Sequence, residues 1–245
     1  TSTVGPNTIP IPQPQSSQQS GRAIPVPGES PGGKSGQMAM QGGKLLAISA
    51  DIKARLDREG MGSRLDPVLK IAFKESRVLT GSDERRAIYL HCVDGQGGKI
   101  PNPVLKMQIV KKGYPSPANI LDALAVVKSP TLFLFSREGH VFGAYTPLPW
   151  GSLGKFNDPR CFIFSVSGNC KLIPIADKPR GVSIWAQEDG LGWGSTDLTL
   201  KANGEWFSEL GCDYFLPGGG GTLPKDMLCR KMNFLPDIFE SYALK

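Results

Sequence analysis

Along the first part of the folded stretch, apolar residues recur every three or four positions. In LLAISADIKARLDREG, Leu45, Ile48, Ile52 and Leu56 share one face of a helix over 45–60, with Gly60 as its stop. RLDPVLKIAFKES predicts a second helix over 64–76. Asp66 is its N-cap, Pro67 its first helical residue, and Leu65, Leu69, Ala72 and Phe73 its apolar stripe. SPANILDALAVV (116–127) repeats this arrangement, with Ser116 and Pro117 ahead of Ile120, Leu124 and Val127. Between the last two, RAIYLHCV (86–93) reads as a strand.

After Ser129 the runs shorten and turn residues separate them. TLFLFS (131–136) and HVFGAY (140–145) flank a turn at Arg137-Glu138-Gly139. CFIFSV (161–166) and CKLIPI (170–175) flank SGN. VSIWA (182–186) stands alone, and LTLK (198–201) and EWF (205–207) flank a turn in which Asn203-Gly204 supplies positive φ values. Short strands with turns every 8–12 residues predict an antiparallel β-sandwich. With the helices, the fold class is α+β: a sandwich flanked by helices.

Residues 1–43 break this pattern. They hold seven prolines and eight glycines, no aromatic residue, and only Arg22, Glu29 and Lys34 as charges. Too few large apolar groups are present to offset ordering entropy, so a disordered or extended arm is expected. TIPIPQPQ (8–15) and AIPVPG (23–28) favour polyproline II. The division is then an arm over 1–43 and a domain over 44–245, the latter with a helical extension over 44–128. An arm of this kind orders on a partner, and Arg22 and Lys34 are the cations it offers there.

One stretch of the arm, GESPGGKS (28–35), fits the phosphate-loop pattern G-x-x-x-x-G-K-[ST]. The motif works only between a buried strand and a helix, where amides and the helix dipole converge on phosphate. Here Pro25 and Pro27 would interrupt the strand, Pro31 removes an amide inside the loop, and GQMAMQGG is too short for the helix. The match is one of composition.

The net charge of +6, from 28 basic and 22 acidic residues, mildly favours acidic partners. The five cysteines, Cys92, Cys161, Cys170, Cys212 and Cys229, include no C-x-x-C pair and are too sparse for a disulfide scaffold. They read as reduced thiols of a cytoplasmic protein. No apolar run reaches the ~20 residues of a membrane span, so no membrane insertion is expected. The basic spots KKGY (111–114) and CRKM (229–232) are short solvated faces, and no nucleic-acid partner is expected.

Catalytic patterns are sparse. The histidines His91 and His140 alternate with apolar residues. His91 beside Cys92 sketches a thiol catalyst or metal ligand without a spaced partner, and exposure of that thiol is its test. H-E-x-x-H, G-x-S-x-G and C-x-x-C do not occur. The expectation is no catalytic residue, no metal site, no cofactor, and no enzyme activity. The glycines of DGLGWGSTDL (189–198) match no dinucleotide fingerprint and are expected to let the chain pack tightly against Trp193. LPGGGGTLP (216–224) reads as a flexible loop.

Beginning near Ser129, the residues resemble the TLDc domain. SPTLFLFSREGHVFGAYTPLPW (129–150) is similar to its S-P-T, V-F-G-A and downstream Trp signature. CFIFSV resembles the strand that follows, GLGWGSTDLTL (190–200) the glycine-rich segment leading to an acidic residue, here Asp197, and FLPDIFESYAL (234–244) the closing segment with its glutamate, here Glu240. In the family a strand and short helix closely precede S-P-T; here the corresponding stretch, 93–120, is expanded. The resemblance implies a sandwich with helices and no established active site. It also implies a link to protection against oxidative damage, and binding to the vacuolar-type proton ATPase whose assembly several members regulate. Asp197 and Glu240 are its partner-binding candidates, or else framework hydrogen-bond acceptors. A different reading is a structural subunit of a large assembly such as a ciliary doublet microtubule, with the arm along its neighbours and the basic charge facing acidic tubulin. Localisation is then the cilium or cytoskeleton.

Overall fold

The computed structural model describes residues 43–110, 116–166, 171–174, 181–214 and 228–245. Helices α1 (Gly43–Arg58), α2 (Gly62–Ile71) and α3 (Ser82–Gly95) lead into strand β1 (Pro103–Val110) and helix α4 (Pro117–Ala125). Eleven strands follow: β2 (Thr131–Arg137), β3 (His140–Thr146), β4 (Gly154–Phe156), β5 (Phe162–Ser165), β6 (Lys171–Pro174), β7 (Ile184–Gln187), β8 (Gly190–Trp193), β9 (Leu198–Leu200), β10 (Trp206–Phe207), β11 (Asn233–Phe234) and β12 (Ile238–Leu244). They form two antiparallel six-stranded sheets, ordered β1-β12-β2-β3-β5-β6 and β11-β10-β9-β8-β7-β4. The expected α+β sandwich with helices is the fold of this protein.

Three layers explain why the first sheet is apolar on both faces. In β2, Phe133 and Phe135 point into the sandwich, where they meet Trp193 and Trp206 edge-on at 4.8 and 4.6 Å between ring centres. Leu132 and Leu134 of the same strand point the other way, into a second core with Leu56, Leu65, Phe73, Ile88 and Tyr89 of the helical layer. Helix α4 contributes Ile120 and Leu124 to the core between the sheets.

The stretch 86–93 is helix, not strand. Ala87 to Val93 are buried without interruption in α3. An unbroken apolar run does not distinguish a buried strand from a helix packed on several sides. Here α1 and α2 pack against α3, and sheet residues such as Tyr145 and Phe162 belong to the same core. The start of α2 is also earlier than Asp66. The amides of Arg64 and Leu65 both donate to the Met61 carbonyl, which puts Pro67 inside the helix. Burial of Leu65 in the helical core outweighs the hydrogen bond that Pro67 forfeits. Asp66 pairs with Lys53 at 3.1 Å instead of capping.

The Ser116 cap is present, with its hydroxyl accepting from the Asn119 amide at 3.3 Å. In the β9–β10 turn only Gly204 has positive φ, +82°; Asn203 does not. The Gly204 amide donates to the Lys201 carbonyl at 2.9 Å, so Ala202 and Asn203 form an ordinary turn and Gly204 alone takes the left-handed position. The glycines of 190–194 face Trp185 and Asp197 rather than Trp193. A Cβ on Gly190 would lie 2.8 Å from the Trp185 ring, and one on Gly192 3.0 Å from its Nε1. Alternation along β8 sends Trp193 inward and these glycines outward. The expected strand and helix ahead of S-P-T are β1 and α4.

Candidate functional site

Asp197 ends the turn between β8 and β9, and its side chain is fully buried. Gly194, at φ +65°, brings the turn so close that a Cβ there would collide with the carboxylate. The carboxylate accepts four successive amides: Gly211 at 2.8 Å, Cys212 at 3.1 Å, Asp213 at 2.9 Å and Tyr214 at 3.3 Å. Asp213 answers in the opposite direction, accepting the Ser195 amide at 2.6 Å and the Val182 amide at 3.4 Å. Two crossed carboxylates therefore lace the 194–197 turn to the 211–214 segment. Burial pushes the Asp197 carboxyl up to about 6, while the four amides act to hold it down. A nest of consecutive amides is an anion site, and in this chain the anion is internal.

Glu240 lies in the middle of β12 and is likewise fully buried. It accepts the Ser76 hydroxyl at 2.6 Å, the Arg77 amide at 2.7 Å, the Gln108 side-chain amide at 2.8 Å and the Tyr242 hydroxyl at 3.2 Å. Ser76 in turn accepts the Val78 and Leu79 amides at 3.2 and 2.9 Å. Just before it, Phe73 adopts φ +54°, a conformation that costs a bulky residue about 1 kcal/mol. Its ring packs edge-on against Tyr242 at 5.0 Å. Glu240 thus latches the segment leaving α2 onto the sheet.

Asp197 and Glu240 are the two acidic residues singled out in the sequence, and they occupy separate places. The structure does not bring them together, and both are framework acceptors. Arg22, Lys34 and the GESPGGKS stretch lie outside the described residues, as do KKGY, LPGGGGTLP, the SGN turn and Cys170. Arg230 is exposed, and Lys231 pairs with Glu138 at 3.1 Å.

The His91–Cys92 pair is buried within α3. Burial pushes the Cys92 thiol well up and holds His91 down to about 4, against a small opposing pull from Asp94. An inaccessible neutral thiol is neither nucleophile nor metal ligand. Cys161 is buried as well, with its thiol raised to about 12. Cys212 is exposed, with its sulfur 2.9 Å from the Thr196 hydroxyl. Among the described residues, no group of three or more His, Cys, Asp or Glu side chains is placed to hold a metal ion, and no helix is long and apolar enough to cross a membrane.

His91 carries a pH prediction. Its folded pKa, about 4, lies below the ordinary 6.5. The folded state therefore resists protonation, and its contribution is present above pH 6.5 and lost as pH falls to 4. The loss is about 3 kcal/mol. Asp197 acts in the reverse sense: its raised carboxyl adds stability as pH falls from about 6 toward 3.8. The difference between the wild type and His91→Leu isolates the histidine. In urea titrations from pH 7 to pH 4 that difference shrinks by about 3 kcal/mol; parallel profiles would rule out a neutral, proton-resistant His91.

The signature residues around these acids also build framework. The Trp150 indole donates to the Thr131 hydroxyl at 2.8 Å, tying the S-P-T stretch to the downstream tryptophan. Trp193 donates to the Tyr145 carbonyl at 3.2 Å, and the Leu244 amide to the Pro130 carbonyl at 2.8 Å. The TLDc domain family matches residues 118–241, about half of the chain. The protein belongs to the TLDc domain family. A search of curated proteins found no match.

Proposed function

We propose that this protein is a non-catalytic docking module of the TLDc type, acting on a large protein complex. The observation that carries the reading is the use of its two motif carboxylates: both are buried and spent on backbone and side-chain donors of this chain. Residues in that state shape a surface; they do not transfer protons to a substrate. Burial of Cys92 supports the same reading by removing the thiol that a catalytic alternative needs. Asp197 and Glu240 then influence a partner through the 211–214 and 76–79 segments that they hold.

The vacuolar-type proton ATPase is the partner the family suggests, with protection against oxidative damage as the accompanying role. The second reading, a structural subunit of an assembly such as a ciliary doublet microtubule, draws on the net charge of +6 and the proline-rich composition of 1–43. Affinity capture with the whole chain, and with residues 1–43 deleted, tests both. Proton-ATPase subunits retained by both forms support the first reading. Tubulin or axonemal chains lost with the deletion support the second. No captured complex would overturn the docking function.

A further inference from the structure

Among the described residues the two sheets have four edge strands, and β1 is the longest of them; β6 has four residues, β4 three and β11 two. One side of β1 is bonded to β12. The amides of Asn102 and Lys245 donate to each other's carbonyls at 2.6 and 3.1 Å, while Leu244 turns its amide away from β1, to the Pro130 carbonyl. Backbone polarity alternates along an antiparallel strand, so Leu105, opposite Tyr242, presents its amide and carbonyl to the free edge. Past the bulge, Met107 and Ile109 face β12, and Gln108 and Val110 face outward. Among the described residues nothing bonds these outward backbone groups. The start of the edge is guarded: Pro103 has no amide, the bulge interrupts the ladder, and Lys106 is exposed. Residues 107–110 carry no charge, and Val110 is 45% exposed.

Beside the same strand lies a hollow of 260 Å3. Pro103 and Leu105 line it from β1, and the buried rings of Phe73 and Tyr242 close it below. Ile71, at the end of α2, completes the apolar lining and is 62% exposed. Leu105 therefore belongs to both features: its side chain borders the hollow and its backbone opens on the edge. The exposed charges flanking the site are Lys70, Lys74 and Glu75 at the end of α2, Arg77 in the segment held by Glu240, Lys106 on β1, and Asp122 on α4, which packs against β1. Among the described residues none of these four cations is in an ion pair.

The geometry points to the β1 edge as the docking site for an extended, acid-flanked segment of a partner protein, added as a further strand beside Gln108 and Val110 with one apolar side chain in the hollow at Leu105. Outward amides and carbonyls at every second residue are matched by an extended backbone, which repeats its own donors and acceptors at that spacing. The ladder then supplies affinity and the hollow selects the side chain. Four cations against two acids set the preference for acidic flanks. A second copy of the chain would bring these cations against their own kind. This inference rests on the docking-module reading and names one of its surfaces.

The probe is a short fluorescein-labelled peptide of alternating threonine and valine, with a central leucine and glutamates at both ends. Fluorescence anisotropy with the whole chain should show saturable binding that weakens with salt and with lysines in place of the glutamates. Two N-methylated forms make the decisive comparison. Methylating every second amide in one phase removes the donors that face β1, and in the other phase those that face solvent; one form should lose binding and the other keep it. Val110→Pro removes an outward amide and leaves the β12 ladder intact, and Ile71→Ser removes the exposed lining of the hollow. Each should raise Kd about tenfold or more, with circular dichroism verifying that the fold is retained. Absence of saturable binding, equal behaviour of the two methylated forms, or an unchanged Kd in either variant overturns the edge site. Dimerisation of the chain that Val110→Pro abolishes gives the edge to a second copy and overturns the partner segment. Peptide binding without a captured complex strikes the docking reading instead.

Discussion

Asp197→Ala should lose about 3–5 kcal/mol of unfolding free energy, a large share of the stability of a domain this size. The substitution removes the acceptor of four amides, and all four of their residues, 211–214, lie fourteen or more positions away in sequence. Those N–H groups then line the space that the carboxylate vacates beside Gly194, with no protein acceptor in its place. Each unpaired donor carries a desolvation cost of about 1–3 kcal/mol, partly relieved by relaxation. Asp197→Asn keeps the volume but places an amide NH2 against donors, so it should recover less than half of the loss. Urea titration at pH 7 measures both. An asparagine variant as stable as the wild type would mean that the carboxylate does not hold the segment. Exchange of the 211–214 amides should rise along with the global loss, because the clamp is part of the sandwich.

Glu240→Ala should also cost about 3–5 kcal/mol, but with a different distribution. Glu240 joins β12 to Ser76 and Arg77, in the segment between α2 and α3, and to Gln108 of β1. Without it, Ser76 loses its acceptor and the turn it builds with Val78 and Leu79 loosens. The strained Phe73 has less to hold it. Native-state hydrogen exchange should show the amides of 76–79 and the start of α3 opening at lower free energy than those of β2, β3 and β8. Glu240→Gln retains one oxygen and should fall between. Uniform opening across the sandwich would show that Glu240 supports the whole domain rather than a latch.

Strands β2, β3, β5, β6, β7, β9 and β10 were legible because most have hairpin neighbours close in sequence and turns with recognisable residues, whereas β8 was hidden by its glycines, Gly190 and Gly192. Other elements were obscured for identifiable reasons. In β1 a bulge between Leu105 and Met107 interrupts the alternation. In β12 the buried Glu240 and Ser241 break an otherwise apolar run, so its central place in the sheet, between β1 and β2, does not show in composition. Strands β4 and β11 are too short for any period. The acidic residues were visible as positions, through the motif, but their function as internal acceptors was not.

What this sequence determined by itself is local. The Ser116 cap, the Gly60 stop, the positive φ at Gly204 and the hairpins need only neighbours a few residues away, whose geometry the residue types constrain directly. Tertiary structure decided whether 86–93 became helix or strand, because both can bury that apolar run. It also decided where α2 began, through burial of Leu65, and which face of β8 met Trp185. Above all it decided the partners of Asp197 and Glu240. Ser76 and Glu240 are 164 residues apart, and no local pattern records such a contact. A buried carboxylate takes whatever donors the packed chain brings to it, so its identity lies in the sequence and its function in the fold.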